Sequence, residues 1–278
     1  MPTVRQLLAE ARPLLAATSF GASTREARLL LGHVLGLSEG KVLARDEMPV
    51  PEESERRFRD LLARRLTGEP VSYLTGEREF WGRSFAVDAR VLIPRPETEH
   101  IVEVVLGERL PPNPWILDVG TGSGILAVTL ALEIPGARAV ATDLSPAALA
   151  LAAKNSRRLG AAVFLINTDL TAGLDLSRFD LVVSNPPYVD RSEIPEISPE
   201  VLDFEPHLAL FPPGAGDALL ARLFSQCAGL RAGIPLAVEI GRGQLDAVRR
   251  HAGDSGWDVA EVRQDYAGIP RTVLLRRR

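Results

Sequence analysis

Beyond Pro111-Pro112 the chain alternates strand-length apolar runs with helical stretches, and that alternation leaves few folds open. Runs at 115–119, 139–142, 162–167, 180–184, 234–240, 257–262 and 272–275 read as strands. Helical spacing over 126–132 and 146–159 separates the early ones. The expected class is α/β, with a doubly wound sheet. Ligands in such folds bind beyond the carboxyl ends of the strands, so residues at those ends carry the most functional weight.

Upstream the pattern differs. From 4 to 37, Leu7, Leu8, Leu14 and Leu15, then Ala27, Leu30, Leu31 and Val34, recur at helical spacing, and a third helix is expected over 52–66 between Pro51 and Gly68. Together they predict a small helical bundle. Its arginines (Arg56, Arg57, Arg59, Arg64, Arg65) are interleaved with Glu52, Glu53, Glu55 and Asp60, which reads as a solvated face. Short β-type runs at 79–81, 85–87 and 91–93, broken by Gly82 and Asp88, predict a β-hairpin linker. The expected division is 1–75 helical, 76–95 linker and 96–278 α/β.

Composition excludes several function classes. The 32 basic and 36 acidic side chains are interspersed and leave a net charge of -4, unlike the basic footprint of a dedicated nucleic-acid binder. Cys227 is alone, so neither an internal disulfide nor a thiolate metal site is expected, and His33, His100, His207 and His251 are scattered. No metal is expected. The first 20 residues lack a basic segment followed by an apolar core, and no run reaches the ~18 apolar residues of a membrane span. The expected compartment is the cytoplasm.

The strand ends carry the chemistry. Asp118-Val119-Gly120-Thr121-Gly122-Ser123-Gly124 closes the first strand of the α/β region and opens its first helix, where glycines permit a tight turn and close approach to a ligand. A dinucleotide loop would place its third glycine where Ile125 stands. By itself such a turn is equally a plain strand-to-helix connection. Asp143 ends the second strand, 19 positions after Gly124, where a carboxylate can accept from both ribose hydroxyls; the alternative is that it caps the helix starting at Ser145-Pro146. Asp169 and Leu170 follow the third strand, where an acid can accept from an adenine amino group and an apolar side chain can cover the ring; the alternative is an ordinary turn.

Asn185-Pro186-Pro187-Tyr188 ends the fourth strand. Asn-Pro is a common turn dipeptide, and placement beside the glycine loop is what distinguishes this one. An amide or exocyclic amine nitrogen is a poor nucleophile because its lone pair is delocalised. Orientation must therefore replace a general base. The Asn185 side-chain oxygen and the Pro186 carbonyl can each accept one N–H of a target NH2, with both prolines stiffening the turn. The Tyr188 ring can stack on a flat acceptor. Asn185, Pro186 and Tyr188 are the candidate catalytic residues, and Pro187 completes the expected substrate site.

With these motifs in order, the sequence resembles the PrmC/HemK family of peptide chain release factor glutamine methyltransferases. Further matches are the segments at 68–73 and 79–82, Ile93-Pro94-Arg95-Pro96-Glu97-Thr98-Glu99, Glu205-Pro206, Val238-Glu239-Ile240-Gly241 and Ala267-Gly268-Ile269-Pro270-Arg271. The resemblance implies a Rossmann-like class I methyltransferase sheet of seven strands and S-adenosyl-L-methionine as cofactor, leaving as S-adenosyl-L-homocysteine. It implies that Gly120, Thr121, Gly122, Ser123, Gly124, Asp143, Leu170 and Asn185 bind that cofactor, and Asp169 joins them as a cofactor candidate from its position after the third strand. It also implies methylation of N5 of the glutamine in the Gly-Gly-Gln motif of class-1 release factors, with the helical domain gripping the protein substrate.

Two stretches depart from the family. Leu170 stands where many relatives carry an aromatic residue, and Phe211-Pro212-Pro213-Gly214-Ala215-Gly216-Asp217 replaces a double-glycine loop. Competing readings are a glutamine methyltransferase of a large-subunit ribosomal protein, and DNA adenine or rRNA guanine methylation through a similar segment on a flipped base. The segment at 95–99 favours the release-factor branch. The net charge and the short helical region oppose a nucleic-acid substrate. A non-catalytic cofactor sensor would leave the tetrapeptide without a purpose.

Overall fold

A computed structural model describes the 278-residue chain except Pro213 and Ala215, so the departure at 211–217 lies partly outside the described residues. Two units emerge, Met1–Glu77 with Glu196–Phe204, and Arg78–Pro195 with Glu205–Arg278. Residues 196–204, which the linear division groups with the α/β region, thus cluster with the helical unit. Among the described residues, no helix is long and apolar enough to cross a membrane.

The helical unit contains α1 (Val4–Ala16), α2 (Thr24–Leu35), α3 (Glu39–Ala44), α4 (Glu52–Leu66) and α5 (Val71–Thr75). A capping box starts α1: Thr3 Oγ1 accepts from the Gln6 N–H, and the Gln6 side chain accepts from the Thr3 N–H. Val4, Leu7, Ala11 and Leu15 form its buried stripe and pack with Leu30 and Leu31 of α2 and Phe58 and Leu62 of α4. Leu14 falls off that stripe and is exposed.

In the second unit, β1 (Glu77–Phe80) and β2 (Arg83–Ala86) form a hairpin. The expected third run, 91–93, is not a strand. Val91 and Ile93 are buried, and the Ile93 N–H is met by Glu205 Oε2 at 3.2 Å in place of a strand partner. There follow α6 (Glu99–Leu106), β3 (Trp115–Val119), α7 (Ile125–Glu133), β4 (Arg138–Asp143), α8 (Pro146–Leu159), β5 (Val163–Asn167) and β6 (Leu181–Ser184). Helix α9 (Pro199–Phe204) belongs to the helical unit. The remainder is α10 (His207–Leu210), α11 (Ala218–Gln226), β7 (Pro235–Glu239), α12 (Leu245–Asp254), β8 (Trp257–Gln264) and β9 (Pro270–Arg277).

The seven-stranded sheet has the order β5-β4-β3-β6-β7-β9-β8, parallel through β7, with β9 antiparallel to β7 and to β8. The α/β class expected from sequence is the one observed. Strand order reverses between β3 and β6, where Val119 pairs with Ser184, so Gly120 and Asn185 leave adjacent strand ends. Helices α11 and α12, absent from the sequence reading, cover the sheet with Leu220, Leu223, Phe224, Val248 and Ala252.

Two buried polar hubs hold the units internally. In the helical unit, Arg65 of α4 donates to Glu26 (2.6 Å) and to Glu200 of α9 (3.0 Å), with its guanidinium 4.5 Å from the Phe20 ring centroid. This ties 196–204 to the bundle. In the second unit, Asn155 of α8 donates to Ala86 O (3.0 Å) and Ser123 O (2.8 Å) and accepts from the Ala86 N–H at 2.7 Å. It joins the end of β2 to the glycine loop. Asn155→Ala leaves three buried backbone groups without partners and is expected to cost about 3 kcal/mol. Urea unfolding would show a lower midpoint at unchanged slope, and an unmoved midpoint would rule out this role.

Candidate active site

The loop after β3 is braced from both sides. Gly120, Gly122 and Gly124 adopt φ of 75°, 56° and 85°, and the N–H groups of Gly120 and Thr121 both donate to Thr142 O at 2.9 Å. Asp143 Oδ2 accepts from the Gly122 N–H (2.9 Å) and Oδ1 from the Ser145 N–H at 2.8 Å. The cap of α8 is Ser145, whose Oγ accepts from the Ala148 N–H at 3.2 Å, so Asp143 is not itself the cap but ties the glycine loop to the cap residue's N–H. A Cβ on Gly124 would lie 3.2 Å from Ala152 Cβ; this glycine lets the loop close on α8.

Asp118 sits beneath that loop. Its Oδ2 accepts from Thr121 Oγ1 (2.6 Å) and the Ala127 N–H (3.1 Å), whereas Oδ1 is buried with no partner among the described residues. Burial pushes its carboxyl up to about 7, against the pull of those two hydrogen bonds.

A cavity of about 220 Å³ opens over these strand ends. Of the residues singled out from sequence, Gly120, Thr121, Gly122, Ser123, Asp143, Asp169, Leu170, Asn185 and Pro187 line it, and Gly124, Pro186 and Tyr188 do not. Asp118, Leu144 and Leu208 add to its walls. Leu170 holds a left-handed φ of 54°, a strained position for a branched side chain. Asp169 Oδ2 accepts from Arg222 at 2.6 Å across a half-exposed pair, so the acid read as an adenine acceptor already has one strong donor. Asp118, Asp143 and Asp169 share these walls with Arg90, Arg95 and Arg222 among apolar side chains, so Asp143 and the unpartnered oxygen of Asp118 are the acceptors not already held by an arginine.

The tetrapeptide is anchored from behind. Asn185 Nδ2 donates to Thr98 Oγ1 (3.0 Å), Thr98 Oγ1 donates to Glu239 Oε2 (2.6 Å), and the Tyr188 hydroxyl donates to Glu239 Oε1 at 3.1 Å. Thr98 and Glu239 are 0% and 1% exposed. Burial pushes the Glu239 carboxyl up to about 7 and, with Glu239 beside it, raises the Tyr188 phenol well above its ordinary value. The half-buried Tyr188 ring lies against Gly241. Gln244 Nε2 donates to Tyr188 O, and Gln244 Oε1 accepts from the Gly241 N–H, each at 2.9 Å. Arg95 and the Ile93 N–H both donate to the buried Glu205, at 2.7 and 3.2 Å.

Thr98, Glu239, Asp118 and Arg222 were not among the expected site residues. Asp118 was legible as the acid before the glycines. Thr98 and Glu239 lie in segments that match the family, but they meet across 141 residues and nothing local in the sequence pairs them.

Comparison with known proteins agrees with this architecture. Residues 6–76 match the PrmC N-terminal domain and residues 103–202 the Methyltransferase small domain. A protein of Cereibacter sphaeroides named release factor glutamine methyltransferase is 43% identical over 272 residues, 97% of this chain and 96% of that protein. One of the same name from Koribacter versatilis is 40% identical over 280 residues, covering 99% of each. The crystal structure of a methyltransferase from Pyrococcus furiosus, 16% identical, superposes with a TM-score of 0.53 over 78% of this chain and 98% of that one, which shows the shared fold.

A Cβ on Gly241 would lie 2.9 Å from Tyr188 Cδ2, too close for a ring held at both its hydroxyl and its backbone. Gly241→Ala is therefore expected to destabilise by about 2 kcal/mol through overpacking. Thermal unfolding measures it; a wild-type midpoint would mean that the ring yields freely.

Proposed function

Because the chain belongs to the release factor glutamine methyltransferase family, we propose that it transfers a methyl group from S-adenosylmethionine to N5 of the glutamine in the Gly-Gly-Gln motif of class-1 peptide chain release factors. The observation that carries this reading is Asn185. It lines the cavity at the strand-order switch with its Nδ2 engaged by Thr98, which leaves Oδ1 as an acceptor for a planar NH2.

The cavity fits the cofactor. The buried, unpartnered Asp118 Oδ1 matches the cationic amino-acid end, Asp143 the ribose hydroxyls, and Leu170 with Leu144 the flat base. Gly120 and Gly122 keep the loop open to close approach. When bound, S-adenosylmethionine supplies a methyl group activated by its sulfonium.

The residues of this chain orient the acceptor. Asn185 Oδ1 and the Pro186 carbonyl each accept one N–H of the glutamine amide, turning the nitrogen lone pair toward the methyl group without deprotonating it first. Pro186 and Pro187 hold those acceptors in place through fixed φ. Tyr188 is anchored through its hydroxyl on Glu239, which fixes the half-buried ring beside the acceptor. The helical unit is the part that grips the release factor, and the working compartment is the cytoplasm, where that partner serves the ribosome.

Labelled S-adenosylmethionine offered with release factor, ribosomal proteins, DNA or rRNA is expected to mark the release-factor glutamine. Label on nucleic acid but not on release factor would sink the proposal. Asn185→Ala is expected to leave cofactor binding largely intact and to lose methyl transfer by about 100-fold; near-normal turnover would refute the role of its amide oxygen. Asp143→Ala is expected to weaken cofactor binding by about tenfold, and calorimetry showing unchanged affinity would remove Asp143 from the ribose.

A further inference from the structure

The Asn185 carboxamide has two ends of similar size and opposite hydrogen-bonding sense, and only the oxygen can accept from a glutamine NH2. Nothing within the tetrapeptide decides which end faces the cavity. We propose that Thr98 and Glu239 are positioning residues that set the polarity of the Asn185 carboxamide, keeping Nδ2 toward the protein interior and Oδ1 toward the acceptor. The inference rests on the methyl-transfer reading above.

The direction follows from proton counting. An ionised carboxylate only accepts, and Thr98 has a single hydroxyl proton. At 2.6 Å from Glu239 Oε2 that proton is committed to the carboxylate, so Thr98 can offer Asn185 only lone pairs. The group 3.0 Å away must then be a donor, which is Nδ2. Glu239 Oε1 is likewise occupied, accepting from Tyr188 at 3.1 Å. With Thr98 and Glu239 fully buried, water cannot stand in for a missing partner, and a flipped Asn185 would set oxygen against oxygen.

Reversing the far end reverses the chain. A glutamine at 239 can donate its NH2 to Thr98 while its oxygen still serves Tyr188. The Thr98 proton is then free to turn toward Asn185 Oδ1, which removes that oxygen from the acceptor. A protonated Glu239 has the same effect. Burial pushes this carboxyl up to about 7; Thr98, Tyr188 and Arg271 pull it down, and Glu97 pushes it up. Arg271 and Arg95 also face Tyr188. Asp118 titrates in the same range, but at the cofactor end, so its effect falls on cofactor affinity and not on turnover at saturating cofactor.

The test uses the full-length protein with release factor and saturating S-adenosylmethionine, comparing wild type with Thr98→Ser, Thr98→Val and Glu239→Gln. Thr98→Val and Glu239→Gln are expected to slow single-turnover transfer about tenfold or more, with cofactor affinity by calorimetry unchanged and Thr98→Ser near wild type. The wild-type rate should rise with pH as Glu239 ionises, and that limb should vanish in Glu239→Gln. The NMR signals of the Asn185 side-chain NH2 should lose their hydrogen-bonded shift in Thr98→Val and keep it in Thr98→Ser. Full turnover in Thr98→Val, or the pH limb surviving in Glu239→Gln, overturns the proposal. If wild type leaves the release factor unlabelled, the functional reading fails, and the NH2 signal still decides the relay: a shift unchanged in Thr98→Val overturns it, and a lost one supports it.

Discussion

The pairing of β3 with β6 sets Val119 opposite Ser184, with Ser184 Oγ donating to Val119 O at 2.7 Å, and everything functional in the α/β unit hangs from those two adjacent strand ends. One end continues into Gly120 and the other into Asn185. Because the order reverses here, with β4 on the far side of β3 and β7 on the far side of β6, neither loop is crowded by a crossover. A cavity at this edge is the geometric consequence, and the residues that line it are those the chain delivers as each strand ends.

That edge is unusually rich in buried acids. Asp118, Glu205 and Glu239 are each almost wholly inaccessible, and burying a carboxylate is costly unless donors compensate it. Glu205 is compensated by Arg95 and a backbone N–H, Glu239 by the hydroxyls of Thr98 and Tyr188, and Asp118 only on one oxygen. Asp118 and Glu239, with no cation in hydrogen-bond contact among the described residues, are pushed up to about 7 by burial. Glu205 fixes the segment around Arg95 and Glu239 fixes the tetrapeptide, whereas one oxygen of Asp118 keeps its acceptor capacity unused among the described residues.

Much of this was legible before any coordinates. Periodicity alone yields the α/β class, because parallel strands buried on both faces must read as short apolar runs joined by amphipathic helices. Residues 52–66 and 146–159 were bounded correctly because Pro and Gly punctuate them. The glycine loop, Asp143 and Asn185 stood out because each is an unusual residue at a strand end. Legibility failed where a strand-like run was satisfied by a side chain, as at Ile93, or where a helical pattern lay among stronger strand signals, as in α11 and α12.

What the sequence determined by itself is the local chemistry: a glycine turn after one strand, a stiff Asn-Pro-Pro-Tyr turn after another, and the residue types able to hold a planar amide. What only the tertiary structure decided is which way those groups point. Tyr188 turns its hydroxyl inward to Glu239, Asn185 is held by Thr98, Asp143 ties Gly122 to the cap residue of α8, and residues 196–204 cluster with the helical unit through Glu200 and Arg65. The physical reason is range. Backbone preference and periodicity act over a few residues, whereas a buried hydrogen bond is made between whichever groups the fold brings into contact, here 51, 87 and 141 positions apart for the three bonds behind the tetrapeptide.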